Sequence, residues 1–205
     1  WRFKDKKLTI VGTDGYRLAC QTLELTSVVQ GDFIIPKKAL QELQKLPGDS
    51  ELEAAFAPNQ VQFTLGAVTL TSRLIDGNFP PYEAIIPKKM TVEIAVSATS
   101  LARSLKLASL FSRDSAYSTK VLLEGDTVKI SAVSATIGEN TNALKLATPV
   151  ASPLSISLNA QYLVDGLGAI DGDARVGFID AKSPITVEPI GKDQYLYLLM
   201  PLRSE

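Results

Sequence analysis

Apolar and polar residues alternate with a period of two in "VQFTLGAVTLTSRLI" (61–75), "KVLLEGDTVKISAV" (120–133) and "QYLYLLMPL" (194–202). That is the spacing of half-buried strands. Helical spacing appears in only three places. In "PKKALQELQKL" (36–46), Ala39, Leu40, Leu43 and Leu46 share one face, and Pro36 suits a first turn. In "SATSLARSLKLASLF" (97–111), Leu101, Leu105 and Ala108 do the same. The third, "NAQYLVDGLGAI" (159–170), groups Tyr162, Leu163 and Leu167, although its two glycines lower helix propensity. The pattern predicts an α+β fold with more strand than helix.

The chain also repeats itself. "WRFKDKKLTIVG" parallels "VLLEGDTVKISA" (121–132), a strand, a charged turn and a strand. "DFIIPKKALQELQKL" (32–46) parallels "SISLNAQYLVDGLGAI" (155–170), a strand running into a helix. "VQFTLGAVTLTSRLI" parallels "ITVEPIGKDQYLYLLM" (185–200), a hairpin. All three pairs fall at an offset of about 120 residues, a plausible domain length. A strand and a helix, "TVEIAVSATSLARSLKLASLF", precede the second copy, and nothing precedes the first. The expectation is therefore a piece of a longer protein. It would hold a partial domain over 1–78, a proline-stiffened linker over 79–91 and a complete domain over 92–205.

Composition narrows the chemistry. Of 205 residues, 45% are hydrophobic and 21% charged, with a net charge of -1, so attraction to nucleic acid has to come from local clusters of Lys and Arg. No uncharged run reaches the length of a membrane span, and no signal peptide is evident. The single Cys20 excludes an internal disulfide and fits a reducing, cytoplasmic setting. There is no histidine, which removes the commonest general base and metal ligand. Asp14, Asp76 and Asp165 each precede glycine, a turn signal and not a site. Ser104 and Lys106 point to different faces of one helix. No metal-ligand spacing or phosphate loop occurs. The chain reads as a non-enzyme with no cofactor.

Three segments are odd in the same way. "TDGYRL" (13–18) puts an aromatic and an apolar residue at a hairpin end, where Asp-Gly already suffices for the turn. "FPPYEAIIP" (79–87) puts Phe79, Tyr82, Ile85 and Ile86 in a linker. "YLLMPL" (197–202) ends on apolar residues around Met200. These are either ordinary core and stiff linker, or the walls of one surface groove between two domains.

The same segments resemble the bacterial β sliding clamp family, the processivity subunits of replicative DNA polymerase. "TDGYRLA" is similar to its Thr-Asp-Gly-His-Arg-Leu-Ala signature, "LIDGNFPPYEAIIP" to its interdomain segment and "YLLMPLR" to its carboxy-terminal Met-Pro motif. Tyr16 stands where the family often has histidine, and Leu202 where methionine is common. The resemblance implies a DNA-clamp fold of repeated strand-helix-strand units, with antiparallel sheets outside and helices on the inner face. It implies most of a middle domain and all of a carboxy-terminal one, and a homodimeric ring in the full-length protein that this piece does not close. It also implies a pocket for linear peptides between the two domains. Carried over by position, its walls are Thr13, Gly15, Tyr16, Arg17, Leu18, Pro80, Ile85, Leu198, Met200, Pro201 and Leu202, flanked by Asn159 and Tyr162. Partners would be duplex DNA, held weakly and without sequence preference, and polymerase subunits, clamp loader and repair proteins through short motifs. Lys37, Lys38 and Lys45 on one helix, and Arg103 and Lys106 on another, would face DNA, or else form solvated helix faces. Leu110 and Phe111 would belong to the subunit interface, or else close the domain core. The alternative function is a β-rich peptide-binding adaptor unrelated to replication.

Overall fold

The computed structural model describes residues 1–26, 28–46, 51–191 and 194–202. The turn of the predicted 185–200 hairpin at 192–193 and Arg203 of the carboxy-terminal motif lie outside them. Contacts divide the chain into two compact units, Trp1–Ile10 with Thr22–Pro81, and Val11–Gln21 with Tyr82–Glu205.

In the order of the chain come β1 (Arg2–Lys4), β2 (Lys7–Thr13), β3 (Arg17–Glu24), β4 (Gly31–Asp32), α1 (Lys37–Leu43), β5 (Leu52–Ala57), β6 (Gln60–Leu65) and β7 (Val68–Arg73). In the first unit β1 pairs antiparallel with β2 and with β4, and β5, β6 and β7 form an antiparallel sheet. Its interior is aromatic. Phe33 stacks on Phe56 with centroids 4.1 Å apart, and Phe56 and Phe63 both meet Trp1, Phe63 at 5.6 Å. Helix α1 is shorter than its apolar spacing suggests. After Leu43 the backbone tightens to i→i+3 bonds, from Lys45 N–H to Glu42 and from Leu46 N–H to Leu43, a common way to satisfy a frayed last turn.

The second unit adds β8 (Val92–Ser97), α2 (Ala98–Ser109), β9 (Ser118–Glu124), β10 (Thr127–Ser134), β11 (Gly138–Lys145), β12 (Leu154–Asn159), α3 (Ala160–Leu167), β13 (Asp173–Phe178), β14 (Ile185–Pro189) and β15 (Tyr195–Leu199). Its strands run in the orders β3-β15-β14-β13-β8 and β11-β10-β9-β12, antiparallel throughout. Alternate residues point inward, Val128, Ile130 and Ala132 on β10 among them, to meet Leu101, Leu105 and Ala108 of α2 and Leu163, Val164 and Leu167 of α3 in one core. Both helices begin on a side-chain cap. Ser97 accepts from Ser100 N–H at 3.3 Å, and Asn159 from Tyr162 N–H at 3.2 Å.

The repeat seen in the sequence is visible here, strand by strand. β5-β6-β7 corresponds to β13-β14-β15, and α1 to α3. β13 has β8 on its outer side, whereas β5 pairs only with β6 among the described residues. The fold is α+β, as the pattern of strands and helices predicts, and its pairings are antiparallel, as the family resemblance implies.

The two helical glycines behave differently. A Cβ at Gly166 would run into the Tyr197 ring, whereas one at Gly168 would meet only its own helix's carbonyls at 3.4 Å. Tyr197 is buried and tied by its hydroxyl to Tyr162 O at 2.6 Å, so it cannot swing away. Gly166→Ala is expected to lower stability by about 1–2 kcal/mol despite its gain in helix propensity. Gly168→Ala is expected to be neutral or stabilising. Urea midpoints of the two variants check this, and equal midpoints would remove the close approach as the reason for Gly166.

Candidate functional site

The hairpin tip between β2 and β3 is built almost entirely from its own side chains. Gly15 takes φ +88°, the left-handed region the turn needs. Thr13 Oγ1 donates to Arg17 O at 2.8 Å and accepts from Gly15 N–H at 3.1 Å. Asp14 Oδ1 accepts from the N–H groups of Tyr16 and Arg17 at 3.0 and 3.1 Å. With these backbone groups satisfied locally, the exposed Tyr16 side chain is left to project.

From the turn, β3 runs beside β15, Leu18 opposite Leu198 and Arg17 opposite Leu199. One residue further, Met200 N–H donates to Tyr16 O at 2.8 Å. A groove of about 460 Å³ opens here, lined by Thr13, Gly15, Tyr16, Arg17, Leu18, Ala84, Ile85, Pro184, Leu198, Leu199 and Met200. Leu18, Leu198 and Leu199 are its buried floor, while Tyr16, Ile85 and Met200 stand 65%, 52% and 41% exposed at its rim. Every one of these residues belongs to the second unit, including the tip contributed by 11–21. The groove expected between two domains is thus lined from one unit, because strand pairing with β15 enrols the hairpin tip there.

Arg17 is the one charged residue of the lining. Its Nε donates to Asp14 Oδ2 at 3.0 Å, its Nη1 donates to Asp165 Oδ2 on α3, and its guanidinium lies 4.2 Å from the centre of the Tyr162 ring. Burial works against the Arg17 charge, but hydrogen bonds with Asp165, Asp14 and Tyr197 outweigh it and raise its pKa. Burial likewise opposes the Asp14 charge, and the Arg17 side chain and the turn's N–H groups overcome it, holding the carboxyl below its ordinary value. Behind the groove, Tyr197 hydroxyl donates to Tyr162 O and Tyr195 hydroxyl to Gly166 O at 3.1 Å. Burial pushes both phenols up, so both remain donors at neutral pH.

Of the positions inferred from sequence, eight line the groove: Thr13, Gly15, Tyr16, Arg17, Leu18, Ile85, Leu198 and Met200. Tyr162 lies beneath Arg17. Asn159 is buried, its amide spent on capping α3 and on Ala116 O at 2.9 Å. Pro80 falls in the first unit. Pro201 and Leu202 are half-buried outside the lining, and Leu202 N–H bonds Ser157 O at 2.8 Å. Sequence reasoning missed Ala84, Pro184 and Leu199. Ala84 lies inside the apolar linker it singled out, whereas no local feature marks Pro184. Lys37, Lys38, Arg103 and Lys106 are exposed, and Lys45 is exposed but paired with Glu42 at 2.9 Å. Phe111 packs against the core, whereas Leu110 is exposed. Among the described residues no cluster of three potential metal ligands occurs, and no helix is long and apolar enough to cross a membrane.

Comparison with known proteins gives one answer along the whole chain. Residues 1–81 match the family model of the DNA polymerase III beta subunit, central domain, and residues 83–203 that of its C-terminal domain. The beta sliding clamp of Staphylococcus aureus (strain Mu50 / ATCC 700699) is 32% identical over 209 residues, covering 100% of this chain and 55% of that protein. The DNA polymerase sliding clamp from Bacillus subtilis superimposes with a TM-score of 0.94 at 28% identity, covering 100% of this chain and 56% of its own. The DNA polymerase III subunit beta from Pseudomonas aeruginosa gives 0.91 at 27%, covering 99% and 57%. The chain spans about half the length of the relatives it matches. With two domain models matched in succession and a shared fold from end to end, the chain belongs to the DNA polymerase III beta subunit family, the beta sliding clamps.

Proposed function

We propose that this chain is the partner-recruiting portion of a non-catalytic clamp that encircles duplex DNA in the cytoplasm as a homodimer. Its segments are a partial middle domain over 1–78, a linker over 79–91 and a carboxy-terminal domain over 92–205. The observation that carries the proposal is the apolar groove, where Tyr16, Ile85 and Met200 stand exposed above a buried leucine floor. Exposed apolar rims of this kind mark binding sites, and methionine adapts to varied partners. The occupant is a short segment with Gln followed by Leu and Phe-like anchors, presented by polymerase subunits, the clamp loader and repair proteins. Two anchors contribute roughly 3–6 kcal/mol gross, reduced by ordering costs, so binding is weak and exchangeable.

The DNA-facing groups are exposed cations of the helices, Lys37 and Lys38 on α1 and Arg103 and Lys106 on α2, which would meet phosphates without reading bases. Lys45, paired with Glu42, contributes less. Leu110 and its exposed neighbour Leu107 supply the apolar part of a subunit interface, and Phe111 supports them from the core side.

Fluorescence anisotropy of a labelled Gln-Leu-Phe-type peptide tests the groove. Saturable binding is expected with wild-type chain and at least a tenfold loss with Met200→Ala, which removes an exposed rim side chain and leaves the core intact. Equal binding by the two would place the peptide elsewhere, and a stand-alone adaptor would bind such peptides without selectivity. For DNA, the double variant Arg103→Ala, Lys106→Ala is expected to make the log-log salt dependence of duplex binding shallower by about 1–2. An unchanged slope would take α2 off the DNA path.

A further inference from the structure

We propose that Asp76 is a site of spontaneous isoaspartate formation, where the Gly77 amide nitrogen closes on the Asp76 carboxyl in an exposed bend ahead of the linker. The aspartate is no catalytic group. The modification is one that the chain itself undergoes, and it is independent of the groove.

Asp-Gly occurs four times, at Asp14, Asp76, Asp165 and Asp171. Glycine favours the reaction because it has no Cβ to block the attack and its backbone turns freely. The glycine nitrogen bonds to the aspartate Cγ, the Cγ–OH bond breaks, and the hydroxyl leaves with the amide proton as water. The product is a five-membered succinimide. Water then adds at either ring carbonyl. One opening returns aspartate, and the other routes the main chain through the side-chain carbon. The balance is one water lost and one regained, with no oxidant or reductant.

The four pairs are chemically alike and sit in unlike surroundings. At Asp14 the carboxylate is pinned by the N–H groups of Tyr16 and Arg17 and by Arg17 Nε, while Gly15 N–H donates to Thr13 Oγ1. Ring closure there would undo the hairpin tip. Asp165 and Gly166 lie inside α3, whose helical backbone fixes the amide, and Arg17 holds the Asp165 carboxylate. Gly172 is exposed, but its carbonyl accepts from Ala98 N–H at 3.0 Å, and Asp173 beside it is already paired with Ser97. Asp76 and Gly77 are both exposed, and neither has a hydrogen bond or ion pair among the described residues. The tie just before them is Ile75 N–H to Ile34 O at 2.8 Å. Carboxyl and amide can therefore rotate into reach of each other without breaking a native contact. The product adds one carbon to the main chain beyond β7 and leaves an α-carboxylate free. That carboxylate is the group an S-adenosylmethionine-dependent isoaspartate carboxyl methyltransferase esterifies.

The test ages the purified chain in warm neutral buffer and digests it. Each Asp-Gly peptide is followed for a second peak of unchanged mass that resists cleavage before its aspartate by an Asp-specific endoprotease. Methyl label transferred from S-adenosylmethionine by an isoaspartate carboxyl methyltransferase gives an independent count. Isoaspartate is expected to form at Asp76 at least about tenfold faster than at Asp14 or Asp165, with Asp171 between them. Asp76→Glu, which would need a six-membered ring that closes slowly, is expected to lose most of the methyl label. In denaturant the four pairs are expected to converge to within about threefold, because the fold no longer separates them. A faster reaction at any of the other three in the native chain overturns the proposal, as does isoaspartate that forms only in the unfolded chain. An order that survives in denaturant also sinks it, and so does undiminished methyl label in Asp76→Glu.

Discussion

Everything at the groove depends on the register between β3 and β15. Because side chains alternate across a strand, a slip of β15 by one residue would carry Leu198 to the face where Tyr197 and Leu199 are buried and bring those two into its place, so that every buried side chain of the strand would have to repack. The register is therefore fixed by burial and not by the turn. Once it is fixed, Met200 has to follow Leu199 to a point beside Tyr16, where its N–H completes the ladder. The apolar rim is a consequence of that ladder, assembled from residues that are about 185 positions apart in the chain.

The turn itself contributes rigidity. Thr13 and Asp14 satisfy the backbone groups that a tight tip leaves open. On the other side, the phenols of buried Tyr197 and half-buried Tyr195 bind β15 to α3 through the carbonyls of Tyr162 and Gly166. Gly166 is what permits the contact, since any larger residue there would displace the Tyr197 ring. Arg17 then spans from the tip to Asp165 on the same helix. The hairpin-tip side of the groove is thus held on a strand pair and a helix, and the proposed ligand would meet a largely preformed surface there.

Much of this was legible in the sequence, and the reasons are local. Strict alternation in 120–133 announces β9 and β10, and apolar spacing announces all three helices within two or three residues at each end. The strands that escaped notice are those whose patterns carry no such signal. β11, "GENTNALK", is polar up to Ala143, with Leu144 alone packing against the core, and eight consecutive pairings with β10 hold it. β13, "DARVGF", alternates only over Asp173–Val176, and Gly177 and Phe178, both buried, break the pattern. For the site, "TDGYRL" gave itself away because an aromatic and a cation follow a turn that does not need them. Pro184 and Leu199 did not, because a proline after a polar loop and a leucine in a strand look like any others. The boundary between units was also hidden. Nothing in residues 11–21 reveals that their pairing partner lies near the end of the chain.

The division between floor and rim also sets how tightly the groove can hold anything. Leu18, Leu198 and Leu199 are already shielded by the protein's own core, so covering them removes little further area from water. The proposed ligand would gain from its own buried anchors and from covering Tyr16, Ile85 and Met200. The ordering of a flexible segment is charged against that gain. Deepening the groove to expose its floor would tighten binding only by opening the core that fixes the β3–β15 register. Stability of the strand pair and affinity for the proposed peptide would therefore pull against each other, which agrees with the exchangeable binding proposed for the groove.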